Sequence, residues 1–281
     1  MEGLRQALAS GMTASHLLVP SLSPLSQCIV NVMVNNKQIA WVTGASSGIG
    51  KALCERLIID GWIVIGSARS KANLDKLKSS LGINFHVMPL DIESSSNVMA
   101  VMKQSELEIG PIDLAILNAG FYHPETNGLD NIVSKKTIAI NVVGTINCLT
   151  AILPRFEKRG NGHIALMSSS AGYRGLPRAY SYTSSRAAII NLAESLRIDL
   201  RSKGIKVQLI TPGFVDTGLT QKNNFHMPFM VSTEVAARRI IKGLSKSNFE
   251  ITFPRRLTYI LKFLRIMPYP IYYALIRLLI K

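Results

Sequence analysis

The sequence predicts an α/β fold in which helices cover both faces of a parallel β-sheet. Short apolar runs alternate with helical segments along most of the chain, which is the pattern of a doubly wound sheet. A glycine-rich turn follows the first of these runs and precedes the first helical segment. Apolar residues make up 47% of the 281 residues and charged residues 17%, which excludes an intrinsically disordered chain.

Each predicted strand is a short, continuous apolar run, as is typical of a strand buried on both faces. The six strands span 38–43, 63–67, 85–88, 112–117, 163–167 and 206–210. The predicted helices span 49–59, 72–80, 94–107, 137–156 and 182–201. Asp91 or Ser94 is available to cap the third helix. No Pro/Gly-rich linker or internal repeat divides the chain, so we expect these elements to form a single domain.

The chain divides into three predicted regions, 1–36, 37–253 and 254–281. The first is interpreted as a flexible extension, because Pro20 and Pro24 interrupt its apolar residues before they reach the unbroken stretch of a signal peptide. The alternative is a start codon assigned too early, with Met33 as the true first residue. The second region is the α/β domain, and the third is a short, basic, amphipathic C-terminal extension.

The basic charge of the chain is concentrated toward its C-terminus. Lys and Arg number 32 against 17 Asp and Glu, which gives a net charge of +15, and 233–281 holds ten basic and two acidic residues. Beyond Phe253 the cations are interleaved with apolar residues, and Pro268 and Pro270 split the tail into two short segments. Basic amphipathic helices with tyrosines at their boundary favour a position on a membrane surface, without crossing the membrane.

The tail also permits a second interpretation, as a surface for dimerisation or for packing within the chain, and we expect a homo-oligomer. Nucleic-acid binding is disfavoured, because the cations lie beside apolar residues and no base-reading motif is present. No stretch reaches the roughly 18 uninterrupted apolar residues of a membrane-spanning helix. We therefore expect a cytoplasmic protein that is at most peripheral on a membrane.

The cysteines and histidines form neither a disulfide pattern nor a metal site. Cys28, Cys54 and Cys148 are odd in number and far apart, and the five histidines have no ligand spacing. We expect a reducing compartment and a protein that holds no metal.

The turn after the first strand has the residues that allow a phosphate to approach closely. It reads Thr43-Gly44-Ala45-Ser46-Ser47-Gly48-Ile49-Gly50, a G-x-x-x-G-x-G spacing. Small residues let the backbone reach a pyrophosphate, which the free N–H groups and the dipole of the helix N-terminus then stabilise. The position between a strand and a helix favours a nucleotide-binding turn over an ordinary tight turn, and a Rossmann-type sheet.

The end of the second strand indicates which dinucleotide binds. An acidic residue there would bind the adenosine ribose 2′-hydroxyl and repel a 2′-phosphate. The sequence has Ala68-Arg69 instead, and a guanidinium suits a phosphate, although an exposed arginine can also be merely solvated. NADP(H) is therefore predicted in preference to NAD(H).

Five motifs in order resemble those of the short-chain dehydrogenase/reductase family. They are Thr43-Gly44-x-x-x-Gly48-Ile49-Gly50, Asn118-Ala119-Gly120, Ser168-Ser169-Ser170-Ala171-Gly172, Tyr182 and Pro212-Gly213. The resemblance runs from about residue 37 to residue 250 and implies an oxidoreductase that interconverts a ketone or aldehyde and an alcohol. The basic tail is similar to that of membrane-associated members of the family.

The resemblance also implies which residues bind the cofactor. Asp91 and Ile92 would contact the adenine, Asn118-Ala119-Gly120 would line the adenosine ribose side, and 212–217 would cover the nicotinamide. The full set is Gly44, Ser46, Ser47, Gly48, Ile49, Gly50, Arg69, Asp91, Ile92, Asn118, Ala119, Gly120, Tyr182, Arg186, Pro212, Gly213, Val215 and Thr217.

Four residues are implied in catalysis. Asn141 would hold the water of a proton relay, Ser169 would polarise the substrate carbonyl, and Tyr182 would be the general acid in reduction and the base in oxidation. Hydride transfer to a carbonyl builds negative charge on oxygen, so the site needs a positioned donor and a proton source. A phenol has a pKa near 10 and works near neutrality only beside a cation.

Arg186, the fourth residue, departs from the family pattern of Tyr-x-x-x-Lys, because this sequence has Tyr182-Thr183-Ser184-Ser185-Arg186. The i,i+4 spacing keeps a cation on the same helix face as Tyr182. A guanidinium can donate to ribose hydroxyls, but it is bulkier than an ammonium and does not readily lose a proton. The alternative function is therefore a nucleotide-binding sensor or scaffold that has lost turnover.

Apolar residues in 214–230 indicate a lipophilic substrate. Phe214, Leu219, Phe225, Met227, Phe229 and Met230 would lie over the carboxyl ends of the strands, where ligands bind. Phe121-Tyr122-His123 would form the opposite wall. The alternative is that the residues in 214–230 pack a small helix onto the core. The sequence does not identify the substrate further.

Overall fold

Seven parallel strands form one sheet, and helices cover both of its faces. A computed structural model describes residues 37–225 and 227–280 of the chain, with side chains only as far as Leu278. The predicted extension 1–36 lies outside the described residues. The strands are β1 (Ile39–Thr43), β2 (Ile63–Ser67), β3 (Phe85–Val87), β4 (Leu114–Leu117), β5 (Gly162–Met167), β6 (Ile205–Pro212) and β7 (Glu250–Phe253). The helices are α1 (Gly48–Ile59), α2 (Lys71–Leu81), α3 (Ser95–Glu108), α4 (Asn131–Ile138), α5 (Gly144–Arg159), α6 (Tyr180–Arg201), α7 (Thr233–Leu244), α8 (Arg255–Ile266) and α9 (Tyr269–Ile280).

The strand order is β3-β2-β1-β4-β5-β6-β7, and every pairing is parallel. The chain runs outward from β1 to β3 and then crosses back, so that β4 pairs with the other side of β1. This reversal leaves a crevice at the carboxyl ends of β1 and β4, where open α/β sheets bind their ligands. The predicted Rossmann-type, doubly wound parallel sheet is confirmed.

Alternating residues of each strand build one hydrophobic cluster on each face of the sheet. Ile39 and Trp41 of β1 belong to a cluster with α3, α5 and α6, whereas Ala40 and Val42 belong to a second cluster with α1, α2 and α7. Trp41 is fully buried, and its indole N–H donates to Ser67 Oγ at 3.0 Å. Burial on both faces explains why the strands read as continuous apolar runs.

Short polar side chains mark where several helices begin. The side chains of Ser70, Ser94, Asp130 and Ser232 each accept a hydrogen bond from the backbone N–H three residues later. Ser94, one of the two predicted caps, therefore caps α3, and Asp91 does not.

Three elements of the structure were not predicted from the sequence. They are α4, α7 and β7, which pairs with β6 at the edge of the sheet. The residues of β7 alternate between half-buried and buried positions, so they do not form a continuous apolar run. The predicted helix 137–156 is part of a longer helical stretch that begins with α4, passes through a π-helical segment at Ala139–Val143 and ends with α5.

Within the described residues, this stretch is the one helix long and apolar enough to span a membrane by length and composition, and half of its most apolar part is buried inside the fold. Its α5 portion contributes Cys148, Leu149, Ile152 and Phe156 to the first cluster. The apolar composition of this stretch is therefore explained by its position as a helix of the hydrophobic core.

The C-terminal tail forms two helices, α8 and α9, which are separated near the prolines that predict the break. One face packs against the domain, because Thr258, Leu264 and Tyr272 are buried. This inner face of the tail therefore packs within the chain, as one of the two interpretations of the tail expects. The homo-oligomer stays a prediction.

Gly66 in β2 tests how tightly the second cluster is packed. A Cβ at Gly66 would lie 2.2 Å from Phe85 Cζ, and Phe85 is fully buried. We expect Gly66→Ala to lower the free energy of unfolding by about 1–3 kcal/mol, the usual effect of overpacking. The control is Gly175→Ala, at an exposed glycine where a Cβ would meet nothing within 4 Å, and it should change stability by less than about 0.5 kcal/mol. Urea denaturation measures both, and equal effects would contradict tight packing.

Candidate active site

The crevice at the carboxyl ends of the strands holds a cavity of about 490 Å³. All predicted site residues except Gly50 and Asn141 line this cavity. The cavity thus brings the turn after β1 together with residues that follow β2, β3, β4, β5 and β6. The lining site residues are Gly44, Ser46, Ser47, Gly48, Ile49, Arg69, Asp91, Ile92, Asn118, Ala119, Gly120, Ser169, Tyr182, Arg186, Pro212, Gly213, Val215 and Thr217.

The glycine-rich turn has a backbone that favours glycine. Gly44 and Gly48 have φ angles of +68° and +53°. Gly50 lies behind the turn, where a Cβ would be 2.1 Å from Gly44 O. Gly50 therefore permits the close packing of α1 against the turn and does not itself line the cavity.

Asn118, just beyond β4, holds this turn in place. Its Nδ2 donates to Thr43 O at 3.0 Å and to Gly44 O at 3.4 Å. In return, Thr43 Oγ1 accepts from the backbone N–H groups of Asn118 and Ala119, both at 3.0 Å. The ends of β1 and β4, between which the strand order reverses, are thus tied directly to each other.

Arg69 and Asp91 follow β2 and β3 and line the cavity. Arg69 is exposed, and its side chain has no hydrogen bond or ion pair among the residues that the structure describes. Asp91 is held in a local turn, because its Oδ1 accepts from Glu93 N at 3.0 Å and its own N–H donates to Asn97 Oδ1 at 2.9 Å. The Arg69 guanidinium is therefore available to an anionic ligand.

Tyr182 and Arg186 lie one turn apart on α6, and the Arg186 Cζ is 5.0 Å from the centroid of the Tyr182 ring. Arg186 is only 4% exposed, and its Nη1 donates to Met167 O at 3.0 Å. A Cβ at Gly120 would lie 2.4 Å from Arg186 Nη2, so this glycine makes room for the guanidinium. The Arg186 Nε is buried and has no hydrogen-bond partner among the described residues. Such a buried N–H costs about 1–3 kcal/mol unless a ligand accepts from it.

Ser169 follows β5 and lines the same cavity. Its Oγ donates to Pro212 O at 3.4 Å and accepts from Ala171 N at 3.2 Å. Because the contact with Pro212 is long, the hydroxyl can turn toward another acceptor at small cost. The adjacent Ser168 has a structural contact instead, since its Oγ donates to Arg186 O at 2.8 Å and ties β5 to α6.

Asn141 is fully buried within the π-helical segment and does not line the cavity. Its Oδ1 accepts from Phe121 N at 2.7 Å, and its Nδ2 donates to Phe121 O and to Ser185 Oγ, both at 3.0 Å. The carboxamide thus joins the wall after β4 to α6. Segments of π-helix are frequent at functional sites. The predicted water-holding role of Asn141 stays a prediction.

Tyr122 packs edge-on against Tyr182, with ring centroids 4.8 Å apart. Its hydroxyl donates to Asn223 Oδ1 at 2.7 Å, and Lys222 Nζ donates to its backbone carbonyl at 3.0 Å. Burial, together with the nearby Tyr182 and Glu125, raises the pKa of the Tyr122 phenol, so that it stays a neutral donor. The predicted wall after β4 therefore contacts 214–230 beside Tyr182.

The apolar residues of 214–230 have mixed positions. Leu219 lines the cavity, whereas Phe225, Phe229 and Met230 are exposed. The rings of Phe214 and Phe225 meet edge-on at 6.0 Å. Apart from the 3-10 turn at Thr220–Lys222, the described part of this segment forms no helix, so the alternative of a small helix packed onto the core describes it poorly.

Glu125 is a buried residue next to Ser181 that the sequence did not indicate. It is 3% exposed, and its Oε2 accepts from Ser181 N at 2.8 Å and from Ser181 Oγ at 2.9 Å. Its Oε1 accepts from Ser134 Oγ at 3.2 Å. The carboxylate thus lies at the N-terminus of α6, where the helix dipole favours negative charge. The residue that it binds, Ser181, directly precedes Tyr182. Its partner is 56 residues away, and no local motif indicates such a pairing.

Comparisons with known proteins identify the family and the fold. A family model described as short chain dehydrogenase matches residues 38–227. An uncharacterized oxidoreductase of Myxococcus xanthus is 34% identical over 247 residues, which cover 85% of this chain and 96% of the relative. A short-chain dehydrogenase from Burkholderia cenocepacia in complex with NADP superposes with a TM-score of 0.72 at 24% identity, over 82% of this chain and 93% of its own. A short-chain dehydrogenase/reductase from Burkholderia phymatum in complex with NAD gives 0.74 at 20% identity, over 80% and 92%.

Glu125 should stabilise the helix that carries Tyr182. We expect Glu125→Ala to lower the free energy of unfolding by about 2–3 kcal/mol, because a hydrogen bond to a buried charge is worth about 1.5–3 kcal/mol and Ser181 loses its partner. Glu108→Ala, at an exposed carboxylate on α3, is the control and should change stability by less than about 0.5 kcal/mol. Chemical denaturation measures both variants. A Glu125→Ala variant as stable as the control would contradict the role of this cap.

Proposed function

The chain belongs to the short-chain dehydrogenase/reductase family, and on that premise we propose an NADP(H)-dependent oxidoreductase that interconverts a lipophilic ketone or aldehyde and its alcohol. The observation that carries the proposal is the buried Arg186 guanidinium, which contacts the Tyr182 ring and keeps an unpartnered N–H beside the cavity of the glycine-rich turn. A proton donor, a fixed positive charge and a phosphate-binding turn thus share one cavity.

The residues of the cavity fit a nicotinamide dinucleotide. Gly44 and Gly48 allow a pyrophosphate to approach the backbone at the N-terminus of α1. The unpartnered Nε of Arg186 can donate to a ribose hydroxyl, which would satisfy its hydrogen-bonding requirement. In this proposal Asp91 and Ile92 contact the adenine, and the segment 212–217, which contributes to the cavity lining, covers the nicotinamide.

The proposed mechanism assigns one task to each polar group. When bound, the nicotinamide supplies the hydride in reduction and accepts it in oxidation. The Ser169 hydroxyl donates a hydrogen bond to the carbonyl oxygen, where negative charge develops, and keeps its own proton. Tyr182 gives its proton to the same oxygen, and the Arg186 charge beside the ring favours the phenolate that remains. In oxidation, Tyr182 takes the proton of the alcohol.

Asn141 acts as a positioning residue in this proposal. Its carboxamide binds the backbone of Phe121 and the hydroxyl of Ser185, so it fixes the cavity wall relative to α6.

Arg69 supports the preference for NADP(H). It is exposed at the end of β2, lines the cavity and has no carboxylate partner among the described residues. A planar guanidinium can bind a phosphate through two parallel N–H groups. The residues between β2 and α2, Ala68 to Ser70, include no acidic side chain that would repel a 2′-phosphate.

A lipophilic substrate is supported by the lining beside Tyr182. Phe121 and Leu219 line the cavity, and the Tyr122 ring packs against the Tyr182 ring. Such apolar walls with a few convergent polar groups are typical of small-molecule sites. Free, buried thiols at Cys54 and Cys148 support action in a reducing compartment such as the cytoplasm.

Arg69→Asp tests the cofactor preference. Removing a charge-assisted contact costs about 1.5–3 kcal/mol, and the new carboxylate repels the 2′-phosphate. We therefore expect NADPH binding to weaken about tenfold or more, while NADH binding changes little. Titration calorimetry with both cofactors measures this. Lys76→Asp, at an exposed cation of α2 that does not line the cavity, is the control. Equal losses for the two cofactors would show that Arg69 does not select between them.

Arg186 variants test the departure from the family pattern. We expect Arg186→Ala to lower NADPH affinity and turnover together, because it removes both the donor and the charge beside Tyr182. Arg186→Lys should keep turnover or raise it, since an ammonium retains the charge. Tyr182→Phe should lower turnover about 10²–10⁴-fold with NADPH binding nearly intact. NADPH oxidation with a panel of long-chain ketones and aldehydes measures turnover, and NADPH fluorescence measures binding.

Two outcomes would contradict this assignment. Robust turnover that survives Arg186→Ala unchanged would remove Arg186 from the site. A parent protein that binds NADPH but reduces no carbonyl, and gains activity only in Arg186→Lys, would favour the sensor or scaffold.

A further inference from the structure

A second cavity, about 700 Å³ in volume, lies where α7, β7 and α8 meet, and it shares no lining residue with the candidate active site. Six of its lining residues are cations, and we call it the basic cavity. They are Arg239, Lys242, Lys246, Arg255, Arg256 and Lys262. Because these residues come from two helices and the loop after α7, the folded chain is needed to bring their charges together.

The positive charge of the basic cavity is largely uncompensated. Its lining residues include one acidic side chain, Glu250, which pairs with Lys262 and accepts further hydrogen bonds from Tyr173 and Thr211. The other five cations have no ion pair among the described residues. Neighbouring like charges repel one another, so a bound anion would stabilise this part of the fold.

An exposed apolar surface adjoins the basic cavity. Eight large apolar side chains on α8 and α9 are each more than half exposed, and we call them the outer apolar face. They are Tyr259, Ile260, Phe263, Ile266, Tyr269, Ile271, Tyr273 and Leu278. Tyr259 also lines the basic cavity. On α8 the cavity-lining positions 255, 256, 259 and 262 and the apolar positions 259, 260, 263 and 266 form neighbouring stripes at helical spacing.

The two features together have the chemistry of a bilayer interface. Exposed apolar residues at this density mark an interaction surface. Tyrosines at its margin, with basic residues alongside, are typical of helices that lie in the headgroup region. The described residues of α8 and α9 include no acidic side chain that would be repelled by anionic lipids.

We propose that the basic cavity binds the phosphate headgroup of an anionic phospholipid while the outer apolar face enters the acyl boundary of the same leaflet. The cavity cations on α7 and in the loop after it, outside the tail, are part of this site, so binding depends on more than a basic tail. The inference extends the proposed action on a lipophilic substrate but does not depend on it.

The test measures cosedimentation of the full-length protein with vesicles of phosphatidylcholine, with or without phosphatidylglycerol. Lys242→Glu combined with Lys246→Glu changes only cavity cations outside the tail. We expect the partition coefficient on phosphatidylglycerol vesicles to fall at least about 30-fold, since each cation near an anionic surface contributes about 1 kcal/mol and 1.4 kcal/mol is tenfold. Lys242→Gln with Lys246→Gln should give a smaller loss in the same direction.

The matched control is Lys76→Glu with Lys103→Glu, which makes the same charge change on α2 and α3, away from β7 in the strand order. It should keep most of the binding. Ile260→Ser with Phe263→Ser should also weaken binding, because it removes apolar contacts while leaving the charge. Carbonyl reduction of a water-soluble substrate without vesicles should be unchanged in all variants, which separates this proposal from the proposed function.

Three results would overturn the proposal. The first is an equal loss of binding in the control pair, which would mean that only the net charge matters. The second is a protein that binds no vesicles but is stabilised against unfolding by inorganic phosphate, with this stabilisation lost in Lys242→Glu with Lys246→Glu. That result would indicate a soluble anion as the ligand. The third is tighter binding of duplex DNA than of vesicles, abolished by the same pair, which would indicate a nucleic-acid surface.

Discussion

The hydrogen bonds between Thr43 and Asn118 are the constraint on which the rest of the site depends. They join the ends of β1 and β4, the two strands between which the sheet reverses its order. At a reversal of strand order the connections that follow the two strands run in opposite directions, and this contact holds the turn that begins at Gly44 against the end of β4. The left-handed backbone of Gly44 and the close approach of Gly50 are possible only if that turn stays in place. The cavity is therefore a consequence of the topology, and the side chains of Thr43 and Asn118 fix the turn that lines it.

Helix α6 carries Tyr182 and Arg186, and the surrounding chain fixes it at three points. Glu125 binds its N-terminus, Asn141 binds Ser185, and Ser168 binds the backbone carbonyl of Arg186. A buried guanidinium with no carboxylate partner is costly in a folded protein. Such a residue persists only where the rest of the fold offsets its cost, and the guanidinium of Arg186 is bound by Met167 O and contacts the Tyr182 ring. The Arg186 Nε still has no hydrogen-bond partner among the described residues, so part of this cost is left uncompensated.

The sequence predicted what depends on local pattern. Strands buried on both faces read as apolar runs, and the turn from Gly44 to Gly50 shows its spacing directly, so the sheet, the crevice and most of the cavity lining could be predicted. Strand β7 could not, because an edge strand is buried on alternate residues only. Glu125 and the contact of Tyr122 with Tyr182 escaped prediction since their partners are distant in the sequence. Gly50 was expected among the cofactor-binding residues, yet it lies behind the turn, and the water-holding role of Asn141 stays a prediction.

The tail belongs to the site more closely than its composition suggests. Gly213, which lines the cavity, donates its N–H to Phe253 O at 2.7 Å, and a Cβ on it would lie 2.7 Å from Leu257 Cδ2 of α8. Farther along α8, Lys262 pairs with Glu250, which also accepts a hydrogen bond from Tyr173, four residues after Ser169. The first turns of α8 are therefore packed directly against two segments that support the cavity. Since the outer face of α8 is exposed and its inner face packs against these two segments, α8 physically connects the surface of the molecule to the wall of the candidate active site.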